Sequence, residues 1–327
     1  MNKRRDAVDL AAAWRALEAP STPQTWTAMK VSSRARIARL EDGGAALLVK
    51  LEDGELGAER ARARTLHVEL VPSRPLTIRT GDGDESGRYL VLTCAGVDDA
   101  LVRQFLRISQ ILPLDGSADV VAAAAADLFE LFRSLSRRTA PSVQGIWAET
   151  LLVAKSSDPA LLVAAWHSAG TDLHDFVADG AHLEVKSTSR GLREHELSLE
   201  QLEHAPEQTT IASLLVEEDP MGATVFDLLD ELRPRLPTFE MRRRAEGIVA
   251  KALGDGWLDA EEIRFSVAGA LETLRLYPAG AIPRPEGPVP ATVSGVRFRV
   301  DLSGVLARVT MRGPLLESLP VVSGHSR

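Results

Sequence analysis

From residue 35 onward the chain runs in short apolar stretches that partly alternate with polar positions. They are 35–40, 45–51, 65–71, 76–80 and 89–94, separated by Asp42-Gly43-Gly44, Asp53-Gly54 and Asp82-Gly83. Period-two alternation closed by Gly and Asp turns predicts strands, here a small antiparallel β domain. A short amphipathic helix over 6–17 precedes it. A helix over 97–112, with Leu101, Phe105 and Ile108 on one face, follows it.

The period then lengthens to 3.6. An alanine-rich helix is predicted over 119–138, carrying Leu128, Leu131, Phe132 and Leu135, and a second over 142–155 after Pro141. The run 161–166 fits a buried strand or a helix, because periodicity alone does not separate them. Strands follow at 173–177 and 182–187, a helix at 199–204 with Ser198 as N-cap, and a strand at 209–216. The last third predicts helices over 223–232, stopped by Pro234, and 238–253, capped by Thr238 and ended by Gly254. It continues with a strand over 270–277, an ordered proline-rich connection over 278–290, and a half-exposed strand over 296–302. The expected organisation is a β-rich domain over 1–115, a mixed α/β core over 116–220, and a C-terminal α/β region over 221–327 packed on that core.

Composition narrows this picture. Of 327 residues, 45% are hydrophobic and 26% charged, as in globular proteins rather than disordered chains. No apolar run approaches the ~20 residues that span a bilayer, and Asp6, Asp9 and Arg15 interrupt any secretory signal. One cysteine, Cys94, excludes an intramolecular disulfide and a thiolate zinc site. The expectation is a soluble, cytoplasmic protein with no membrane partner. Net charge is −8, which disfavours a passive nucleic-acid coat but not an enzyme with a local basic surface. Six basic residues are lysines against 32 arginines, so a lysine in a polar cluster merits attention.

Such a cluster lies at 171–188. Asp179-Gly180 is a two-residue hairpin signal between two strand-like runs. Counting outward from that turn sets Asp175 opposite Glu184 and Leu173 opposite Lys186. Asp175, Glu184 and Lys186 then share one face, while Phe176, Leu183 and Val185 share the other and suit a core. Opposed carboxylates about 5 Å apart repel by about 3 kcal/mol at an effective dielectric of 20. One lysine offsets part of this. An oxygen-seeking divalent cation such as Mg²⁺, with Mn²⁺ as substitute, offsets it better, with the Val185 carbonyl as a further ligand. Lys186 is then free to orient or deprotonate a water, or to stabilise charge on a phosphate. Glu149 falls on an apolar helix face with Ile146, Leu152 and Val153, where a carboxylate needs a cation or metal partner. It is a candidate outer or second-metal ligand, and Gly145 one turn earlier allows close backbone approach.

Glu149 on a helix, Asp175 on one strand and Glu184-Val185-Lys186 on the next resemble the PD-(D/E)xK nuclease superfamily, in its restriction-endonuclease branch. The resemblance is closer to a bacterial family called "PD-(D/E)XK motif protein", found in restriction-like phage-defence loci. It is carried by Gly145-Ile-Trp-Ala-Glu149, Asp175-Phe176, Tyr277, Pro283-Arg284 and the strand 296–303 ending in Asp-Leu-Ser. His174 stands where the superfamily usually has proline. The resemblance implies a restriction-endonuclease-like mixed sheet flanked by helices. It also implies a Mg²⁺-dependent endodeoxyribonuclease that acts on DNA alongside other subunits of a defence system and is compatible with a homodimer. The runner-up is a non-catalytic DNA-binding or scaffolding subunit. The resemblance also draws Gln201 toward the site; from the residues alone Gln201 reads as a solvated helix position.

Competing readings are plainer. Glu-x-Lys on a strand is often a surface ion pair, and Asp172 rivals Asp175 but would pair near Ser187. Five of the seven histidines lie between His167 and His204, without zinc-site spacing. His174 and His182 read as ordinary hairpin residues on the face opposite Glu184. His195 is an accessory candidate that can approach a phosphate from a neighbouring strand. Arg190 and Arg193 are candidate DNA contacts, as are Arg242-Arg243-Arg244, against the plainer reading of a solvated charged face. Trp147 reads as core. No phosphate loop or Gly-x-Ser-x-Gly element is present.

Overall fold

The computed structural model describes residues 9–18, 20, 26–52, 63–64, 68–96, 99–110, 112–117, 120–121, 123–125, 143–167, 173–285, 287, 289–290, 292–307 and 313–320. Two units divide the chain at 137/138.

In the N-terminal unit, six strands form one sheet: β1 (Trp26–Lys30), β2 (Ala35–Arg39), β3 (Ala45–Lys50), β4 (Ala63–Arg64), β5 (Val68–Thr80) and β6 (Gly83–Cys94). The order is β1-β2-β3-β6-β5-β4. A parallel pairing of Trp26 and Thr27 with Ile78 and Arg79 closes the sheet on itself, so it is not wholly antiparallel as expected. Small residues permit that curl: Ala28, Ala38 and Ala46 share the interior with Leu48, Ile78, Tyr89 and Val91. The expected strands 65–71 and 76–80 are one strand. Its register shifts between Val71 and Arg74, beside Pro72, which lacks the N–H a ladder needs. Strands β2 and β3 are buried on both faces, so their sequences alternate weakly. Helices α1 (Leu10–Arg15) and α2 (Asp99–Ser109) flank the sheet. The helix expected over 119–138 lies largely outside the described residues.

The second unit is mixed α+β, consistent with a restriction-endonuclease-like core. Its main sheet runs β12 (Arg275–Pro278), β10 (Thr209–Leu215), β8 (Ala181–Thr188), β7 (Phe176–Ala178). Strands β8 and β10 are parallel, and both outer pairs are antiparallel. One face buries Leu183, Val185, Ala212 and Leu214 against α3 (Val143–Lys155), α6 (Val225–Leu232) and α7 (Phe239–Leu253). The other face carries Glu184, Lys186, Ile211 and Ser213. A two-stranded ribbon, β9 (Glu194–Ser198) with β13 (Arg297–Asp301), packs beside it. Leu197, Ile211, Tyr277 and Leu302 share a second core there.

The run 161–166 is helical: α4 spans Pro159–Ala165, where Asp158 caps the Leu161 N–H and Pro159 opens the first turn. The expected strand 270–277 is mostly helix α9 (Val267–Thr273), because the Ser266 hydroxyl caps Gly269; only Arg275–Pro278 is extended. The sequence reading missed β1, β9, β11 (Glu218–Ala223) and α8 (Trp257–Glu262); α5 (Leu199–Glu203) stands where expected. Among the described residues no helix is long and apolar enough to cross a membrane.

Candidate active site

The hairpin at the centre turns on Asp179 and Gly180, with φ of 50° and 76°. Two left-handed residues in succession match the right-handed strand twist, so Asp-Gly suits the turn. Its ladder pairs Phe176 with Leu183, Val177 with His182 and Ala178 with Ala181. Pairing stops there, and Asp175 sits one residue before the strand rather than inside it. Its Oδ2 accepts the Val185 N–H at 2.7 Å. Its carbonyl accepts the His167 N–H at 2.8 Å. The aspartate therefore reaches across the strand end toward the segment Glu184–Lys186. Of Val185, the expected carbonyl donor, the group in use is the N–H.

Glu184 is only 4% exposed. Its Oε1 accepts the Gln201 amide at 2.7 Å and pairs with Lys186 Nζ at 2.8 Å. Its Oε2 is buried and, among the described residues, has no partner. An orphaned carboxylate oxygen is costly, because a buried acceptor that has lost water recovers nothing. Glu149, half-buried on α3, points its Oε2 at Trp166 Nε1, which donates at 2.8 Å. Burial, with Glu184 nearby, outweighs that hydrogen bond and pushes Glu149 up to about 7. Burial and the same carboxylates raise Asp175 well above its ordinary value, against the Val185 N–H and Lys186. Burial pulls Lys186 down, but Glu184, Asp175 and Glu149 outweigh it and hold its pKa above the usual lysine value. Three carboxylates thus share one ammonium.

Gln201 is held in place by a capping box: it takes the Ser198 N–H on Oε1 while its own N–H bonds the Ser198 hydroxyl. That leaves its amide N–H groups for Glu184 and the Leu173 carbonyl. The family resemblance had drawn Gln201 toward the site, and the Ser-x-x-Gln spacing gives the local reason for its orientation. His195 is buried and lines a cleft of about 530 Å³ that also includes Glu149, Asp175, Glu184, Lys186 and Arg190. Arg190 is exposed on the rim. Arg193 commits its guanidinium to Ser213 and to the Thr273 carbonyl. Arg242 and Arg244 bond backbone carbonyls of Leu236, Val163 and Trp166. Trp147 is fully buried, as expected, and donates to the Ala223 carbonyl. Asp172 lies outside the described residues.

The placement of His182 needs correction. Alternation along β8 puts it on the same face as Glu184 and Lys186, not the opposite one. Its ring stacks on His174 and on His204, at 4.9 and 5.3 Å between centroids, and those two lie 6.1 Å apart, so the three rings form a triangle. His174 in turn bonds the Gln201 carbonyl through Nε2 at 2.9 Å.

Over residues 10–303 the sequence matches the family model described as "Putative PD-(D/E)XK family member, (DUF4420)". The chain belongs to this family. No curated protein and no solved structure matches it. Membership in the PD-(D/E)XK family gives the cluster its chemical context, since these proteins have a nuclease-like fold and generally use divalent metals. Among the described residues no group of three or more His, Cys, Asp or Glu stands ready to hold a metal ion. The donor chemistry nevertheless fits Mg²⁺, which commonly takes one or two carboxylates and keeps several waters. The unpartnered Oε2 of Glu184, in the cluster with Asp175, is a hard-oxygen donor of the kind such an ion takes.

Proposed function

We propose that this protein is a Mg²⁺-dependent DNA endonuclease of a bacterial restriction or anti-phage system, acting in the cytoplasm with companion subunits. The observation that carries the reading is the unpartnered, buried Oε2 of Glu184 in a cluster of three carboxylates and one lysine. The defence role is carried by the resemblance in Gly145–Glu149, Asp175-Phe176 and the strand ending at Ser303.

Asp175 and Glu184 are the metal ligands, and Glu149 contributes directly or through a water. When bound, Mg²⁺ supplies Lewis-acid stabilisation of phosphate charge and a more acidic water. Lys186 holds its ammonium in the cleft, where it orients the attacking water and stabilises charge on the phosphate. Gln201 keeps Glu184 aimed by occupying Oε1 alone. Arg190 on the rim is placed to hold the DNA backbone as a sequence-independent phosphate contact.

The test is plasmid cleavage in Mg²⁺ or Mn²⁺, with and without EDTA, on the wild type and Asp175→Asn. Nicking or linearisation that needs metal and disappears in the folded variant is expected. Cleavage absent even with companion subunits supplied, or indifferent to EDTA, overturns the assignment. DNA binding without cleavage then points to a scaffolding subunit.

A further inference from the structure

On the sheet face that carries Lys186, three polar side chains form a hydrogen-bonded chain. Ser213 on β10 is in register with Lys186 on β8, so both project from the same face. Arg193 Nη1 donates to the Ser213 carbonyl at 3.0 Å and to its Oγ at 2.9 Å. A guanidinium has only donors, so the Ser213 oxygen is an acceptor in that bond and keeps its own proton to give. The acceptor within reach is His195 Nε2, 2.7 Å away. With Nε2 as the lone-pair nitrogen that hydroxyl proton is used, and the neutral ring then carries its own proton on Nδ1.

The surroundings keep the ring neutral. His195 is 4% exposed, and burial together with Lys186 and Arg193 lowers it to about 4. Its ring borders the cleft beside Lys186, and among the described residues none takes the Nδ1 proton. In that tautomer the Nδ1–H is a donor on the wall of the cleft, suited to a phosphate oxygen.

We infer that His195 donates its Nδ1–H to a non-bridging oxygen of the phosphodiester, and that Ser213 and Arg193 are positioning residues that lock this tautomer. This rests on the reading of the cleft as a phosphodiester site. It differs from a charge contact: the ring contributes a directed hydrogen bond at neutral pH, with no net charge.

Nitrogen-15 NMR of histidine-labelled protein in EDTA reads the tautomer without needing cleavage. Expected are an Nδ1–H ring with an acceptor Nε2 from pH 5 to 8, and a shift of Nδ1 when a short DNA duplex is added. Two variants separate contact from packing. His195→Asn puts an amide N–H near the Nδ1 position, whereas His195→Gln puts one near Nε2, toward Ser213. With both folded by melting curve, His195→Asn should retain cleavage within about threefold, and His195→Gln should lose about 100-fold or more, the scale of one lost transition-state donor. An Nε2–H or averaging tautomer overturns the inference, as does equal cleavage by both variants, or a response to inorganic phosphate but not to the duplex. A duplex-dependent Nδ1 shift in a protein that cuts nothing overturns the nuclease reading and leaves this contact standing.

Discussion

Each unit buries a cluster of charged side chains, and the two are balanced in opposite ways. In the N-terminal unit, Glu85 sits between Arg36 at 3.1 Å and Lys50 at 2.8 Å. Burial pushes Glu85 up, but hydrogen bonds and charges from Lys50 and Arg36 outweigh it and hold it below the ordinary carboxylate value. Two cations serve one anion, and both Glu85 oxygens are occupied. In the second unit three carboxylates share Lys186, two of them are pushed up, and one oxygen has no partner. The first arrangement supports its own strands. The second is short of positive charge, which is the imbalance that the proposed cation would relieve.

The largest expected effect breaks the balanced cluster. Glu85→Ala leaves Arg36, 6% exposed, without its carboxylate. Removing the charged acceptor from a partly buried pair costs about 1.5–3 kcal/mol, so chemical denaturation should show a clear loss in the N-terminal unit. No loss would mean that Arg36 is satisfied by the carbonyls of Ser32, Ser33 and Ala35 alone.

Next comes Lys186→Arg, which sharpens the contrast by making the second cluster resemble the first. A guanidinium fork can engage both Glu184 oxygens and occupy the vacant one. The variant should keep or raise its melting temperature in EDTA, yet lose plasmid cleavage by about 10²-fold or more. Undiminished cleavage would show that neither the compact ammonium nor the free oxygen is needed.

The smallest effect concerns Glu149. Its folded pKa, about 7, lies above the ordinary 4.5, so folding favours its protonated form. That contribution is complete below about pH 4.5 and is lost as pH rises through 7. Without metal, Glu149→Gln should therefore match wild type near pH 4.5 and exceed it at pH 8. The expected gain is about 1–2 kcal/mol, discounted because the side chain is only half-buried. A variant no more stable than wild type at pH 8 would place Glu149 outside the strained cluster.

Much of the site was legible because it depends on short-range order. The Asp-Gly turn fixes the hairpin count, and period two then assigns Glu184 and Lys186 to one face and Leu183 and Val185 to the core. Glu149 stood out as a carboxylate on an apolar stripe, and Ser198 as a cap. Local chemistry failed where two signals competed. The stretch Val267–Thr273 is apolar enough for a strand but follows a serine cap. His182 was misplaced although its parity with Glu184 was there to read.

What the residues determined by themselves is the alternation along β8, the turn, the caps and the family likeness, since each follows from backbone geometry within a few positions. What only the tertiary structure decided is which polar atoms meet. Gln201 reaches Glu184 because a capping box orients it across 17 positions. Arg193 is diverted from the rim because Ser213 and Thr273, on separate elements, claim its donors. Glu184 Oε2 is left alone because Gln201 and Lys186 both meet the other oxygen, Oε1. Such satisfaction is a property of three-dimensional packing among distant segments, and no spacing along the chain encodes it.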